Sequence, residues 1–174
     1  MGFAGRTGAG KTSAARYLSS QFGFQYARYS HFLREWLPAG SADRDRLRSF
    51  GWEVMVGGRQ AELNARLIAG LDRSRSAVID GLRHSIDFDS LSNTFGASFR
   101  MIFLEARPEI RFERLRSRFS DYEASETADS APVETYVDGL KALASSIISN
   151  EESLESLYQQ LDAWAAACGI GDLK

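Results

Sequence analysis

Residues 5–12 read GRTGAGKT and combine residue types that together can bind a row of phosphate groups. Glycines allow successive backbone N–H groups to turn inward around phosphate oxygens. Lys11 can reach the outer phosphates with a flexible ammonium group, and the Thr12 hydroxyl can bind magnesium. The stretch fits the P-loop pattern G-x-x-x-x-G-K-[ST] without a gap. The predicted nucleotide-binding residues are Gly5, Arg6, Thr7, Gly8, Ala9, Gly10, Lys11, Thr12 and Ser13.

The sequence on either side of this loop supports the prediction. Residues 1–4 form a short apolar run typical of a strand, and residues 12–22 carry Ala15, Leu18 and Phe22 at helical spacing. A helix after the loop adds its positive N-terminal end to the anion site. The chain has only three lysines against eighteen arginines, and one lysine falls where the P-loop requires it. The alternative is a glycine-rich turn with an incidental lysine.

Composition bounds the class of protein. The chain has 174 residues, 44% hydrophobic and 25% charged, which predicts one globular α/β domain. A formal net charge of −2 argues against a general nucleic-acid binder. Cys168 is the single cysteine, so we expect no internal disulfide and a reducing, cytoplasmic location. We expect no membrane segment and no cleaved leader, because the first strand begins at Met1; its shortness predicts that a few native residues precede it.

A second informative stretch is SAVIDG at residues 76–81. A continuous apolar run with β-branched residues is typical of a buried parallel strand, and Asp80 falls at its carboxyl end, where ligands bind in open α/β sheets. A carboxylate there can hold magnesium beside Thr12. The alternative is an aspartate that opens an ordinary turn, because Asp-Gly is common in turns.

The remaining pattern predicts strands alternating with helices. Further strands are expected at 24–29, 99–105 and 147–149, and helices at 43–50, 52–71, 85–94 and 108–119. Gly51 separates the two central helices, and Gly57-Gly58 weakens the second. Ser30 is a predicted N-cap for a helix with Leu33, Trp36 and Leu37, and Asn150 for a final helix with Leu154, Leu157, Leu161 and Trp164 facing inward.

Two groups of arginines are candidates for binding phosphate. The central helices supply Arg44, Arg46, Arg48, Arg59 and Arg66, of which we expect one or two as ligands and assign Arg59. The helix from Pro108 places Arg111, Arg114 and Arg118 on one face. The alternative for this stripe is a surface helix in which the arginines pair with Glu109 and Glu113. Residues 119–140 contain six acidic residues and no lysine or arginine, which predicts a lid leading into a helix from about residue 133.

A resemblance to a known family covers nearly the whole chain. It rests on the P-loop and on further stretches: YSHFLR at 29–34, VIDGLR at 78–83, RPEIRFERLR at 107–116, IISN at 147–150 and SLESL at 153–157. Together they resemble the nucleoside monophosphate kinase group of P-loop proteins, most closely its dephospho-CoA kinase-like and deoxynucleoside monophosphate kinase branches. The resemblance implies an α/β/α sandwich with a five-stranded parallel sheet and a small helical lid. One domain would span 1–174, with an acceptor-binding region near 30–75 and a lid near 111–140.

The resemblance also implies roles for residues. The P-loop would hold ATP, Thr12 and Asp80 would hold Mg²⁺, and Arg83 would bind the acceptor phosphate. Ser30 and Arg34 would lie on the acceptor side with Arg59. The implied catalytic residues are Lys11, Asp80, Arg114 and Arg118. Adenylate kinases carry an arginine at the fourth position after this aspartate, where this chain has His84, which argues against adenylate kinase proper.

The function that the resemblance implies is magnesium-dependent transfer of the ATP γ-phosphate to a (deoxy)nucleoside monophosphate or similar small nucleotide. Within enzymes, the alternatives are a dephospho-CoA kinase-like activity and a kinase for a modified base. From another class, the alternative is a nucleotide-binding regulatory module with little turnover. Lys11, Thr12 and Asp80 favour the enzyme, whereas the acidic lid, followed by only Lys141 as a basic residue before the final strand, favours the module. We expect a monomer or homodimer.

Overall fold

In the part of the chain that the structure describes, the sheet has five parallel strands. The computed structural model describes residues 1–40, 43–116 and 132–171. The strands are β1 (Gly2–Ala4), β2 (Gln25–Arg28), β3 (Ala77–Asp80), β4 (Met101–Glu105) and β5 (Ser146–Ser149). Their spatial order is β2-β3-β1-β4-β5, and every neighbouring pair is parallel. The predicted five-stranded parallel sheet is therefore confirmed.

Helices follow the strands and cover both faces of the sheet. They are α1 (Lys11–Phe22), α2 (Tyr29–Arg34), α3 (Arg44–Val56), α4 (Gln60–Ala69), α5 (Ser85–Phe95), α6 (Pro108–Arg116), α7 (Pro132–Gly139) and α8 (Leu154–Ala167). Short 3₁₀ turns occur at Gly96–Ser98 and Leu140–Leu143. No helix in the described ranges is both long and apolar enough to cross a membrane. Arg118 and four of the six acidic residues of the predicted lid lie in 117–131, outside the described residues, whereas Glu134 and Asp138 lie in α7.

Two apolar clusters fill the spaces between the sheet and its helices. On one face, Ile102 and Leu104 of β4 pack with Leu18 of α1 and with Leu157 and Leu161 of α8. The neighbouring residues of β4 point to the opposite face. There Met101 and Phe103 join Leu67 of α4, Leu91 of α5 and Val137 of α7. A sheet that buries side chains on both faces gives the predicted three-layer sandwich.

The break between the central helices was predicted at the wrong glycine. Helix α3 continues through Gly51, and the chain turns instead at Gly57 and Gly58. Gly58 has φ of +72°, a left-handed conformation that a side chain disfavours. A Cβ atom at Gly51 would lie 3.4 Å from Leu33 Cδ1, so Gly51 lies where α3 packs on α2. One glycine inside a helix costs only about 1 kcal/mol, which packing can offset.

Three local predictions near the other helix ends were also wrong. Helix α2 begins at Tyr29, so Ser30 lies inside it and Arg28 occupies the N-cap position. The N-cap of α8 is Ser153, whose side chain accepts a hydrogen bond from Ser156 N–H, and not Asn150. Leu154 is 56% exposed, because the helix begins one turn later than predicted. Asn150 is instead buried against the P-loop, a contact that only the folded chain creates.

Candidate active site

Strand pairing brings the P-loop and Asp80 to the same edge of the sheet. Strands β1 and β3 are neighbours, and Phe3 lies level with Asp80. The P-loop leaves β1 just beyond this level, and the carboxyl ends of parallel strands form the usual ligand-binding edge of such sheets. The two motifs that the sequence analysis singled out are therefore adjacent in space, although 68 positions separate Thr12 from Asp80.

The shape of the P-loop depends on glycine at particular positions. Gly8 and Gly10 have φ of +85° and +101°, in the region that favours glycine. A Cβ atom at Gly8 would lie 2.9 Å from the Arg111 side chain, and one at Gly10 would overlap the Asn150 side-chain amide. That amide donates to Ala9 O at 2.9 Å, which fixes the loop against β5. Both glycines are thus required by conformation and by close packing.

The loop presents a row of unpaired backbone donors. The N–H groups of Gly8, Gly10, Lys11, Thr12 and Ser13 donate to no atom of the described residues. Three of these residues open α1, where the first N–H groups of a helix have no partner within it. Unpaired N–H groups at a helix N-terminus carry partial positive charge and bind phosphate. This group of five donors, called the N–H cluster below, has the arrangement that the P-loop prediction requires.

Lys11 lies beside the N–H cluster and is held by the loop itself. Its Nζ donates to Gly5 O at 2.6 Å and to Arg6 O at 2.9 Å. Burial and, to a smaller extent, the nearby positive charge of Arg83 lower the pKa of Lys11 to about 8. The carboxylates of Glu134 and Asp80 oppose this change. A bound phosphate chain would supply the negative charge that this buried ammonium group lacks.

Asp80 is 1% exposed, and one of its two carboxylate oxygens accepts the hydrogen bonds. Asp80 Oδ2 accepts from the hydroxyls of Thr12 and Tyr26, each at 2.8 Å, and lies 3.3 Å from Arg28 Nε. Burial, followed by the charge of Asp80, raises the pKa of Tyr26 to about 12. The sequence analysis missed Tyr26 and Arg28. The sequence did contain a sign of this, because residues two positions apart in a strand have their side chains on the same face.

The donor set suits magnesium bound together with a nucleotide. Thr12 can give its hydroxyl proton to Asp80 and still offer a lone pair to a metal, and none of the described residues donates to Asp80 Oδ1. Within the described ranges no three His, Cys, Asp or Glu residues cluster as a complete metal site. Mg²⁺ commonly uses one or two protein ligands and takes the rest from phosphates and water. The residues therefore fit a nucleotide-bound magnesium ion.

A cavity of about 780 Å³ extends from the P-loop to the helices α2, α3 and α4. Apolar side chains form much of its helical wall, namely those of Leu33, Leu47, Trp52, Met55 and Leu63. Arginines from several elements also line it, namely Arg28, Arg34, Arg48, Arg83 and Arg114. The cavity therefore combines an apolar wall with positive charge, next to the N–H cluster.

Three of the four predicted acceptor residues line this cavity: Ser30, Arg34 and Arg83. Arg34 is exposed, and its side chain makes no hydrogen bond or ion pair with any described residue. Arg59 is not among the lining residues. Its Nε pairs with Glu62 at 2.9 Å, and its guanidinium lies 4.3 Å from the centre of the Trp36 ring. Partners close in sequence and in space thus hold Arg59 on the outside of the helical region.

The arginine stripe on α6 separates into different environments. Arg111 is 3% exposed, and it donates to Ala106 O at 3.1 Å and to Thr7 O at 3.2 Å, so it supports the P-loop from behind. Arg114 lines the cavity and donates to Asn150 O at 2.9 Å and Glu152 O at 3.1 Å. Arg118, the third member, lies outside the described residues.

A buried carboxylate that the sequence analysis missed holds the loop after β3. Asp87 is 1% exposed, and its Oδ2 accepts from the backbone N–H groups of Arg83 at 2.9 Å and His84 at 3.1 Å. Its Oδ1 accepts from the Asn64 side chain at 3.0 Å, and burial raises its pKa. The signal was an acidic residue at the third position of α5, where a capping box places one. Asp87 thereby fixes the backbone that carries Arg83.

Comparison with known proteins identifies the fold. No protein-family model matches the sequence, and no curated protein matches it. Among solved structures, the chain is similar to shikimate kinase from Acinetobacter baumannii, with a TM-score of 0.66, 17% identity, and 99% of this chain and 94% of that one covered. A sugar kinase from Janibacter gives a TM-score of 0.54, 21% identity, and coverage of 98% and 96%. The chain therefore has the fold of P-loop kinases.

Proposed function

We propose that this protein is a magnesium-dependent phosphotransferase that moves the γ-phosphate of ATP to a small acceptor. The observation that carries the proposal is the N–H cluster with Lys11, which opens directly into a cavity with arginines on its walls. Kinases need a site for a phosphate chain and an adjoining site for the acceptor, and phosphoryl transfer depends mainly on positioning and positive charge. The arrangement meets both needs.

The roles of the residues follow from their contacts. The N–H cluster binds the phosphate chain of ATP, and Lys11 neutralises its outer phosphates once it leaves the carbonyl groups of Gly5 and Arg6. Thr12 and Asp80 hold Mg²⁺, which neutralises charge on the phosphates when it is bound. Tyr26 and Arg28 fix the orientation of the Asp80 carboxylate through their contacts with Oδ2. The Arg83 guanidinium places a positive charge between the ATP site and the acceptor site.

For the acceptor, we favour a nucleoside or deoxynucleoside monophosphate. Arg34 offers a guanidinium without a partner in the described part of the chain, which suits an anionic acceptor. Trp52 and the apolar wall offer a surface for a planar base. Dephospho-CoA, as a larger nucleotide, combines the same features. The shikimate and sugar kinases that share the fold favour a second candidate, the hydroxyl group of a small unphosphorylated acceptor.

One experiment tests the proposal and separates the acceptors. The purified protein is incubated with γ-labelled ATP, Mg²⁺ and a panel of nucleoside monophosphates, nucleosides, dephospho-CoA, shikimate and simple sugars, with the Lys11→Ala variant as control for contaminating kinases. We expect label on a nucleoside monophosphate that depends on Lys11. Label on shikimate or a sugar would support the second candidate. Tight binding of ATP without label on any acceptor would favour the regulatory module instead.

A further inference from the structure

A second carboxylate, that of Glu134, lies at the junction of the P-loop and Arg83. Glu134 is in the first turn of α7 and is 1% exposed. Its Oε1 accepts from the Thr7 hydroxyl at 2.8 Å and from the Arg83 guanidinium at 2.9 Å, and its Oε2 accepts from Thr7 N–H at 2.9 Å. A buried carboxylate is stable only with such partners. Glu134 thus joins the P-loop to the loop after β3.

The position of Glu134 leaves the phosphate site open. It binds the N–H of Thr7, which is not part of the N–H cluster, so all five donors of that cluster keep their capacity for phosphate. Glu134 is therefore not a substitute for a phosphate group. Its contact with Arg83 connects Glu134 to the cavity, because Arg83 is one of the lining residues.

We propose that Glu134 is a positioning residue that holds the Arg83 guanidinium between the P-loop and the acceptor cavity, ready for the charge that develops during phosphoryl transfer. Asp87 fixes the backbone of Arg83, and Glu134 fixes its side chain, so that both ends of the arginine are held. A charged group that is already in position stabilises a transition state without a cost of reorganisation. The inference rests on the function proposed above, because it assigns Glu134 a part in that reaction.

A second contact shows that α7 as a whole is attached to the P-loop. Asp138 lies one turn after Glu134 and forms a two-point pair with Arg6, at 2.9 Å to Nε and 2.7 Å to the terminal nitrogen. This pair is more exposed than the Glu134 site, with side-chain exposures of 32% and 53%. Two acidic residues on one face of α7 thus contact consecutive residues of the loop. This attachment helps to fix the position of the Glu134 carboxylate relative to Arg83.

The test compares Glu134→Gln with Glu105→Gln. Glu105 also pairs with a basic residue, Lys141, but on the exposed surface, so the control removes the same charge away from the site. We expect Glu134→Gln to lower kcat roughly ten- to a hundredfold, as for loss of a charge-assisted hydrogen bond, while the KM for ATP changes less than about threefold. Glu105→Gln should match the parent. Glu134→Asp keeps the charge and should recover part of kcat. If Glu134→Gln does not fold, Glu134→Asp is compared with the parent instead.

A double-mutant cycle decides whether Glu134 acts through Arg83. If it does, Arg83→Ala and the double variant Glu134→Gln/Arg83→Ala should have the same kcat, because the carboxylate has nothing left to position. Multiplied losses, or a Glu134→Gln variant with parental kcat, would overturn the inference and leave the proposed phosphotransferase intact. A folded parent that binds no ATP and transfers no phosphate would overturn both. ATP affinity of each variant by calorimetry, with circular dichroism for folding, keeps these outcomes apart.

Discussion

The two ends of the cavity are built in different ways. At the end with the P-loop, called the phosphate end below, the N–H cluster comes from one continuous stretch, and Asp80 and Arg28 lie beside it. The acceptor end is assembled from side chains of α2, α3, α4 and the loop after β3. A backbone site depends on loop shape, so few substitutions preserve it. A side-chain site can change its ligand by substitution while the fold stays the same.

The basic side chains at the two ends also differ in whether they have partners within the protein. At the phosphate end the cations have internal partners: Lys11 binds backbone carbonyl groups, and Arg28 lies beside Asp80. At the acceptor end Arg34 is exposed and has no partner among the described residues. Charged groups that internal partners hold in place can stabilise a transition state, whereas exposed charged groups without a partner can attract a ligand from solution. We therefore expect variants of charges that are held in place, such as Asp80, to affect turnover most, and a variant of Arg34 to affect the KM for the acceptor.

The largest effect is expected for Asp80→Asn. The neutral side chain keeps the size of the carboxylate but loses the charge that holds magnesium, so turnover should fall roughly a hundredfold. Binding of nucleotide without metal should change little. Steady-state kinetics with Mg²⁺ and calorimetry without it measure the two quantities. Tyr26→Phe, which removes one donor to the same oxygen, should lower turnover less than about fivefold. A variant that unfolds yet has normal activity in its folded fraction would give Asp80 a structural role only.

Lys11→Ala should follow, with a loss of ATP affinity or turnover of at least about tenfold, roughly 1.4 kcal/mol. The physical reason is removal of the ammonium group that neutralises the outer phosphates. Calorimetric titration with ATP measures the affinity, and circular dichroism confirms the fold. The matched control is Lys141→Ala, since that lysine forms an exposed pair with Glu105. Equal ATP binding by the two folded variants would remove the P-loop interpretation.

The lowered pKa of Lys11 predicts how ATP binding depends on pH. In the free protein this pKa is about 8, whereas phosphates around the ammonium group raise it in the complex. Below pH 8 the free lysine is already protonated, and above pH 8 binding must take up a proton. ATP affinity should therefore fall about tenfold between pH 7 and pH 9. Titrations in buffers of different ionisation enthalpy detect the uptake. Lys11→Arg should show no such fall, and a parent with constant affinity over this range would contradict the prediction.

The smallest effect belongs to the acceptor end. Arg34→Ala should raise the KM for the acceptor about fivefold, as expected for one exposed charged contact, and leave the KM for ATP unchanged. The matched control is Arg66→Ala, because Arg66 does not line the cavity and lies 3.4 Å from Glu35. Initial rates at varied acceptor concentration separate the two. An acceptor KM that is the same in both variants would remove Arg34 from the acceptor site.

The fold was predictable from the sequence to a large extent, and the candidate site only in part. Three features could be predicted: the P-loop, Asp80, and the order of strands and helices along the chain. Each depends on residues that are close in sequence, such as glycine, lysine and threonine in one loop, or an apolar run that ends in a carboxylate. The helix break was misplaced at Gly51, because one glycine inside a helix costs only about 1 kcal/mol and α3 continues through it. Arg59 was assigned to the acceptor side, yet its partners Glu62 and Trp36 hold it outside the cavity.

The sequence by itself determined the elements of this protein and the chemistry of its phosphate loop, because backbone conformation and hydrogen bonding are set mainly over short distances along the chain. Only the tertiary structure showed that Glu134 contacts the P-loop and Arg83. Glu134 reaches Thr7 across 127 positions and Arg83 across 51, and Asn150 reaches Ala9 across 141. No local pattern marks such residues, because their partners are fixed only when the helices pack on the sheet and bury the charges together.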